Sequence, residues 1–195
     1  MQSELPLTFA YLRKFEEPLR KRSGFRRFFK AGVDPFYSIY NVGEYTFSPF
    51  KVCWREQAAF FTSAVAQSAK VADKQKVIIP DHKLMLVPLE REDEAHYVCA
   101  VLNSLITVFI VKSYGVEIQT STHVLEHVRV PRFDPKEKLH IQLAESSKAC
   151  HAATAAGDDS AIDSLEAANS SLAAELWGLS DAELKEIESS LADLT

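Results

Sequence analysis

The sequence predicts an α+β fold: a domain built on a mixed small sheet over residues 1–134, followed by an α-helical hairpin or spacer over residues 135–195. Three observations predict it. Residues 36–56 are dense in β-formers and hold seven of the chain's twenty aromatic residues, whereas from Pro135 onward Trp177 is the only aromatic. Charge divides at the same place: residues 1–133 carry 18 Lys and Arg against 14 Asp and Glu, and residues 134–195 carry 4 against 13. The apolar residues of the second part recur at three-and-four spacing, the helical period. With 195 residues, 47% hydrophobic and 25% charged, the chain is globular in composition and long enough for one domain with an appendage.

Residues 5–22 predict a helix, with Pro6 in its first turn and Phe9, Leu12, Phe15 and Leu19 near helical spacing. Pro18 should kink or end it, and Ser23-Gly24 closes the segment. Residues 36–56 predict two strands around an Asn41-Val42-Gly43 turn, with Phe36, Phe47, Phe50 and Trp54 pointing to the core. The small, weakly patterned residues 57–75 predict a loop with a short helix. Residues 76–80 and 83–89 predict short strands separated by Asp81-His82. Glu92, Asp93 and Glu94 favour a helix N-terminus, so an apolar helix is expected from about Glu94 to Lys112, ended by Tyr114-Gly115. Residues 122–133 read as a helical turn leading into a strand.

In the second part, Leu139–Ala156 and Asp159–Leu176 predict two helices, antiparallel because their connection is short. Along the second, Ile162, Leu165, Asn169, Leu172 and Leu176 form a narrow seam with one polar residue at an inner position. Ser180 and Glu183 have the spacing of a capping box and open a last helix.

Several function classes are excluded or weakened. No run of about 18 apolar residues is present, so no membrane span is expected. The first residues lack the basic-then-apolar layout of a secretion signal. Cys53, Cys99 and Cys150 are odd in number and scattered, which argues against a disulfide framework or zinc cluster and for a reducing, cytoplasmic location. No dinucleotide-binding glycine motif, phosphate-cradling loop or nucleophile elbow occurs. Pro80-Asp81-His82-Lys83 opens like a nuclease site, but the acidic residues downstream lack the lysine such a site needs. His123, Glu126 and His127 match an inverted zinc-protease pattern. A proline four residues after His127 removes the supporting helix, so a zinc hydrolase is the weaker alternative.

Between Arg13 and Lys30 eight cations face only Glu16 and Glu17, a basic segment beside an aromatic-rich one. Residues 117–123 bring Gln119, Ser121, Thr122 and His123, short donors and acceptors suited to base edges or phosphates.

Four blocks then stand in a fixed order: FYSIYNVGEYTFSPFKVCWRE at 36–56, KVIIPDHKLMLVPLEREDEAHYVCAVLNS at 76–104, STHVLEHVRVPRFDP at 121–135 and AAELWGLSDAELKEI at 173–187. Together they resemble the C-terminal target-recognition region of large adenine-specific DNA methyltransferases, as in type IIG restriction–modification enzymes and related phage-defence methylases. The likeness runs from about Leu5 to Leu191 and is weakest over 57–75. It implies an α+β target-recognition (specificity) domain followed by a helical spacer, as in specificity subunits of type I systems. In that family a separate domain binds S-adenosylmethionine and carries an Asn-Pro-Pro-Tyr-type motif that methylates a flipped adenine. No Asn-Pro dipeptide occurs here, so this chain is expected to be non-catalytic and without a cofactor. The parent enzyme would use S-adenosylmethionine, with magnesium if a nuclease is fused. The opening on a family block favours an expressed fragment over a split subunit.

The partners so implied are double-stranded DNA and the methyltransferase domain of the same or another chain, with self-association through the helical spacer. Arg26, Arg27, Lys30, Lys51, Arg55 and Lys83 are the candidates for phosphate contact. Tyr40, Asn41, Tyr45, Gln119, Ser121, Thr122 and His123 are the candidates for base-edge or stacking contacts. The acidic helices would be repelled by DNA. The rival from another class is a protein-interaction module that docks partners through those helices.

Overall fold

The computed structural model describes residues 1–114 and 126–193, and divides into a unit of residues 1–44 and a unit of residues 45–195.

In the first unit the expected single helix is three: α1 (Pro6–Arg13), α2 (Glu16–Lys21) and α3 (Ser23–Phe28). Ser23-Gly24 does not end a helix but starts α3. Pro18 sits in the first turn of α2, where its missing N–H leaves no bond unmade. Phe25 and Phe36 are buried, and Phe9 and Tyr37 pack on Phe36 with ring centroids 5.9 and 5.1 Å away. Two of the cations are built into this packing. The Arg20 guanidinium lies over both Phe25 and Phe36 at 5.8 and 5.7 Å and pairs with Glu16 at 2.8 Å. Arg22 donates to the carbonyls of Phe36 and Ser38 at 3.3 and 2.9 Å, tying the later chain back to α2.

The second unit is α+β. A three-stranded antiparallel sheet has the order β2 (Ser63–Gln67), β1 (Phe50–Arg55), β5 (Leu84–Leu89). A separate hairpin pairs β3 (Ala69–Val71) with β4 (Lys74–Lys76) around Ala72 and Asp73, both at positive φ. Only Phe50–Arg55 of the two strands expected in 36–56 forms; the first half is irregular with a 3-10 turn at Glu44–Phe47. Asn41 adopts φ 58°, as its short polar side chain permits, but turns an irregular chain rather than a hairpin. Residues 63–71, expected in a loop, supply β2 and β3, while residues 77–80 lie outside any strand. On the sheet's core face Val52 registers with Val65 and Val87, and Trp54 with Ser63 and Met85, the alternation a one-sided sheet requires.

The helix α4 (Glu92–Leu102) covers that face and is buried on two sides. Ala95, Cys99 and Leu102 pack on Val52 and Trp54, and Tyr97, Ala100 and Val101 join Leu143, Ala144, Ala173 and Ala174. Those last four belong to α6 (Lys138–Ala156) and α7 (Asp159–Trp177), which form the expected helical pair. Alanines at the contacts let the helices approach closely. The hairpin therefore shares its core with α4 and is not a domain separated at residue 134; the division in the chain lies instead at residues 44 and 45. Asn169, the polar member of the seam, is buried and donates to the Ala100 carbonyl at 2.7 Å.

The long helix expected to Lys112 is broken after Leu102, and α5 (Leu105–Tyr114) continues at a bend of 59°. No single described helix is long and apolar enough to cross a membrane. Ser104 and Thr107 donate hydroxyl bonds to the Val101 carbonyl, which the break frees, at 2.8 and 2.7 Å. Residues 128–134 form no strand. Their polar groups bind side chains instead: Tyr97 donates to the Pro131 carbonyl, Trp177 to the Arg129 carbonyl, and the Asp134 amide donates to His140. The helix α8 (Asp181–Asp193) opens on the capping box, with the Glu183 carboxylate accepting from the Ser180 amide and hydroxyl at 2.8 and 2.7 Å.

Candidate nucleic-acid interface

In the first unit, Arg26, Arg27 and Lys30 are exposed and form no ion pair among the described residues. They stand apart from Lys21, whose ammonium pairs with Glu17, and from Arg20 and Arg22, which hold the fold. The composition of the run did not separate these roles. The six-residue helix α3 buries Phe25 and turns its adjacent arginines outward. The Arg27 guanidinium lies 5.3 Å from the centre of the Phe28 ring.

Tyr40 is 49% exposed and stacks on Phe28, with ring centroids 4.5 Å apart and planes 22° off parallel. Gly24, one turn before Phe28, makes room for this. A Cβ there would stand 2.8 Å from the Tyr40 ring, inside any real contact distance. Phe28 and Gly24 are functional candidates that the sequence reading missed; their four-residue spacing on one helix face was the available signal. Asn41 follows Tyr40 at the surface.

In the second unit, Arg55 and Lys83 lie at the same end of the sheet. Arg55 ends β1 opposite Leu84, and the next amide, Glu56, donates to the Lys83 carbonyl at 3.0 Å. Both side chains are exposed and form no ion pair among the described residues. Tyr45 is 38% exposed in the turn before β1. Phe47, expected in the core, is 55% exposed, because residues 44–47 wind as a 3-10 turn instead of alternating as a strand.

Lys51 is corrected. It lies in the middle of the central strand, 1% exposed, between register partners Ala66 and Pro88. Its stem folds back along its own strand and its ammonium donates to the Ser48 carbonyl at 2.6 Å. Burial lowers its pKa below the ordinary lysine value, opposed by Cys53 and Glu90 nearby. A phosphate has no path to it in this arrangement.

Gln119, Ser121, Thr122 and His123 lie outside the described residues, and with His123 so does the first member of the zinc pattern. His127, its last member, is exposed and stacks on Tyr114 at 4.4 Å with planes 7° apart. Among the described residues no three His, Cys, Asp or Glu side chains gather as metal ligands.

A buried polar network at the α4–α6 contact also escaped the sequence reading. His151 Nδ1 lies 2.7 Å from the Ser147 carbonyl, so it carries the proton, while its Nε2 accepts from the Val65 amide at 3.0 Å. His96 Nδ1 meets the Ser147 hydroxyl at 3.0 Å. Burial, then the neighbouring His151 and Lys148, lowers the His96 pKa to about 4, against opposition from Asp93 and Glu145. His96 is neutral at physiological pH and bonds α4 to α6 as a structural group.

No protein-family model, curated protein or solved structure matches the chain.

Proposed function

We propose that this chain is the DNA-reading part of an adenine-specific DNA methyltransferase or restriction–modification enzyme, acting in the cytoplasm and non-catalytic on its own. One observation supports it most directly. Of the cations in the basic segment, Arg20 and Arg22 are built into the packing and Lys21 is paired, whereas Arg13, Lys14, Arg26, Arg27 and Lys30 are exposed, the last three in or just after the helix that carries Phe28 of the half-exposed Phe28–Tyr40 pair. The sheet end adds Arg55 and Lys83. Cations of this kind neutralise phosphates and position a protein on a duplex, while exposed side chains such as Tyr40, Asn41 and Tyr45 would reach bases. The catalytic domain, with its S-adenosylmethionine, would lie elsewhere in the same chain or in a partner.

The acidic helices α7 and α8 face a different kind of partner. A groove between them is lined by Leu172, Glu175, Leu179 and Asp181, and suits a protein segment with apolar and basic residues. This favours a second reading, protein docking through the helical region.

The test is binding of the full chain to a fluorescent mixed-sequence duplex at low salt. Arg26→Glu/Arg27→Glu and Arg55→Glu/Lys83→Glu should each weaken binding about ten-fold or more, while changes in α7 and α8 leave it intact. Absence of duplex binding by the wild type at low salt would overturn the DNA reading and leave the docking one.

A further inference from the structure

An aromatic stack normally closes a core, but the Phe28–Tyr40 pair is 52% and 49% exposed. Its geometry is nevertheless fixed. The Tyr40 ring packs against Gly24, where a Cβ would stand 2.8 Å from it, and the Arg27 guanidinium lies over the Phe28 ring. Exposed Arg26 and Lys30 belong to the same short stretch of chain. A held, flat, half-open pair of rings bordered by cations has the two features used to bind an unpaired nucleotide: a face for the base and charge for its phosphates. A closed duplex does not use such a face well, because its bases are already stacked and offer only their edges. A protein partner would match the rings but not the cations.

We propose that Phe28 and Tyr40 form a stacking platform for an unpaired base in the bound DNA, with Arg26, Arg27 and Lys30 holding the flanking phosphates. This deepens the DNA-reading function and rests on it. The platform acts in addition to phosphate contact on the duplex, so its loss removes a preference between DNA forms and not binding itself.

The experiment uses the full chain and three labelled probes: a perfect duplex, the same duplex with a bulge containing 2-aminopurine, and the single strand. The wild type should prefer the bulged duplex by about ten-fold, the scale of one base–aromatic stack, and should quench the 2-aminopurine. Phe28→Leu and Tyr40→Leu, which keep apolar volume but lose the flat face, should abolish the preference and the quenching. Tyr40→Phe should keep both. Arg26→Glu/Arg27→Glu should weaken all three probes. Should Phe28→Leu fail to fold by circular dichroism, the comparison of Tyr40→Leu with Tyr40→Phe decides. No preference in the wild type, or a preference that survives Tyr40→Leu, overturns the platform while the DNA reading stands on the perfect duplex. Failure to bind any probe at low salt overturns both.

Discussion

Lys51 and Arg55 lie on the same face of β1, four residues apart, and differ in chemistry because one is central and the other terminal. The Lys51 ammonium is held by one carbonyl in a site that has lost water, so it contributes to stability only while that bond is made. Replacing a buried charge by an apolar residue of similar length is often neutral, whereas placing an unpaired opposite charge there is not. Lys51→Met should therefore stay within about 1.5 kcal/mol of the wild type in urea unfolding and bind DNA unchanged. Lys51→Glu should destabilise by about 3 kcal/mol or more, since a buried carboxylate would lose the bond to the Ser48 carbonyl and add a like charge near Glu90. Arg55→Glu should show the reverse pattern: unchanged stability, within about 0.5 kcal/mol, and weaker DNA binding. At this scale the sequence supplied the residue types but not their partners. Nothing local distinguishes Arg22, which donates to the backbone carbonyls of Leu19, Phe36 and Ser38, from Arg26 and Arg27, which remain outside.

The elements divide by whether their causes are local. The helices α6, α7 and α8 were legible because their ends are written within a few residues. Gly157 and Gly178 end two of them at φ 69° and 68°, Asp158 caps α7 by accepting from the Ala161 amide, and Ser180 with Glu183 opens α8. The strand β2 was not legible, because what holds it is distant. The Asn103 side chain accepts from the Ser63 amide and hydroxyl at 2.8 and 3.0 Å and donates to its carbonyl at 2.8 Å, across forty residues. The same side chain stands at the C-terminus of α4, where the expected long helix breaks. Asn103→Ala should cost about 1–3 kcal/mol, read by urea unfolding, because it strands the Ser63 amide.

His96 gives α4 a pH dependence. Its folded pKa of about 4 lies below the ordinary value of 6.5, so between those values the unfolded chain binds a proton that the folded chain does not. The stability from burying neutral His96 is whole above pH 6.5 and falls as pH drops toward 4. From pH 7 to pH 5 the loss due to this residue should be about 2 kcal/mol, at about 1.4 kcal/mol per unit. Urea unfolding of His96→Gln should lack that part of the slope; an unchanged slope would remove His96 as its source.

Across the whole chain, charge and fold partition in different places. The basic excess lies in residues 1–133 and the acidic excess in residues 134–195, which suggested a domain boundary there. Yet α6 and α7 complete the core of α4, and the compact units meet at residues 44 and 45. Composition follows what a surface faces, whereas a core follows which apolar faces need covering, and here the acidic helices cover the sheet's own helix. Each unit keeps exposed cations, among them Arg26, Arg27 and Lys30 in the first and Arg55 and Lys83 in the second. Because counterion release counts phosphate contacts, the salt dependence of duplex binding measures whether those cations touch DNA. The logarithm of the affinity for a mixed-sequence duplex should fall linearly with the logarithm of salt concentration. The slope should shrink by about two in Arg26→Glu/Arg27→Glu and again by about two in Arg55→Glu/Lys83→Glu, and stay unchanged in Lys51→Met. Equal slopes in the wild type and both double variants, or no binding even at about 50 mM salt, would contradict DNA recognition by this chain.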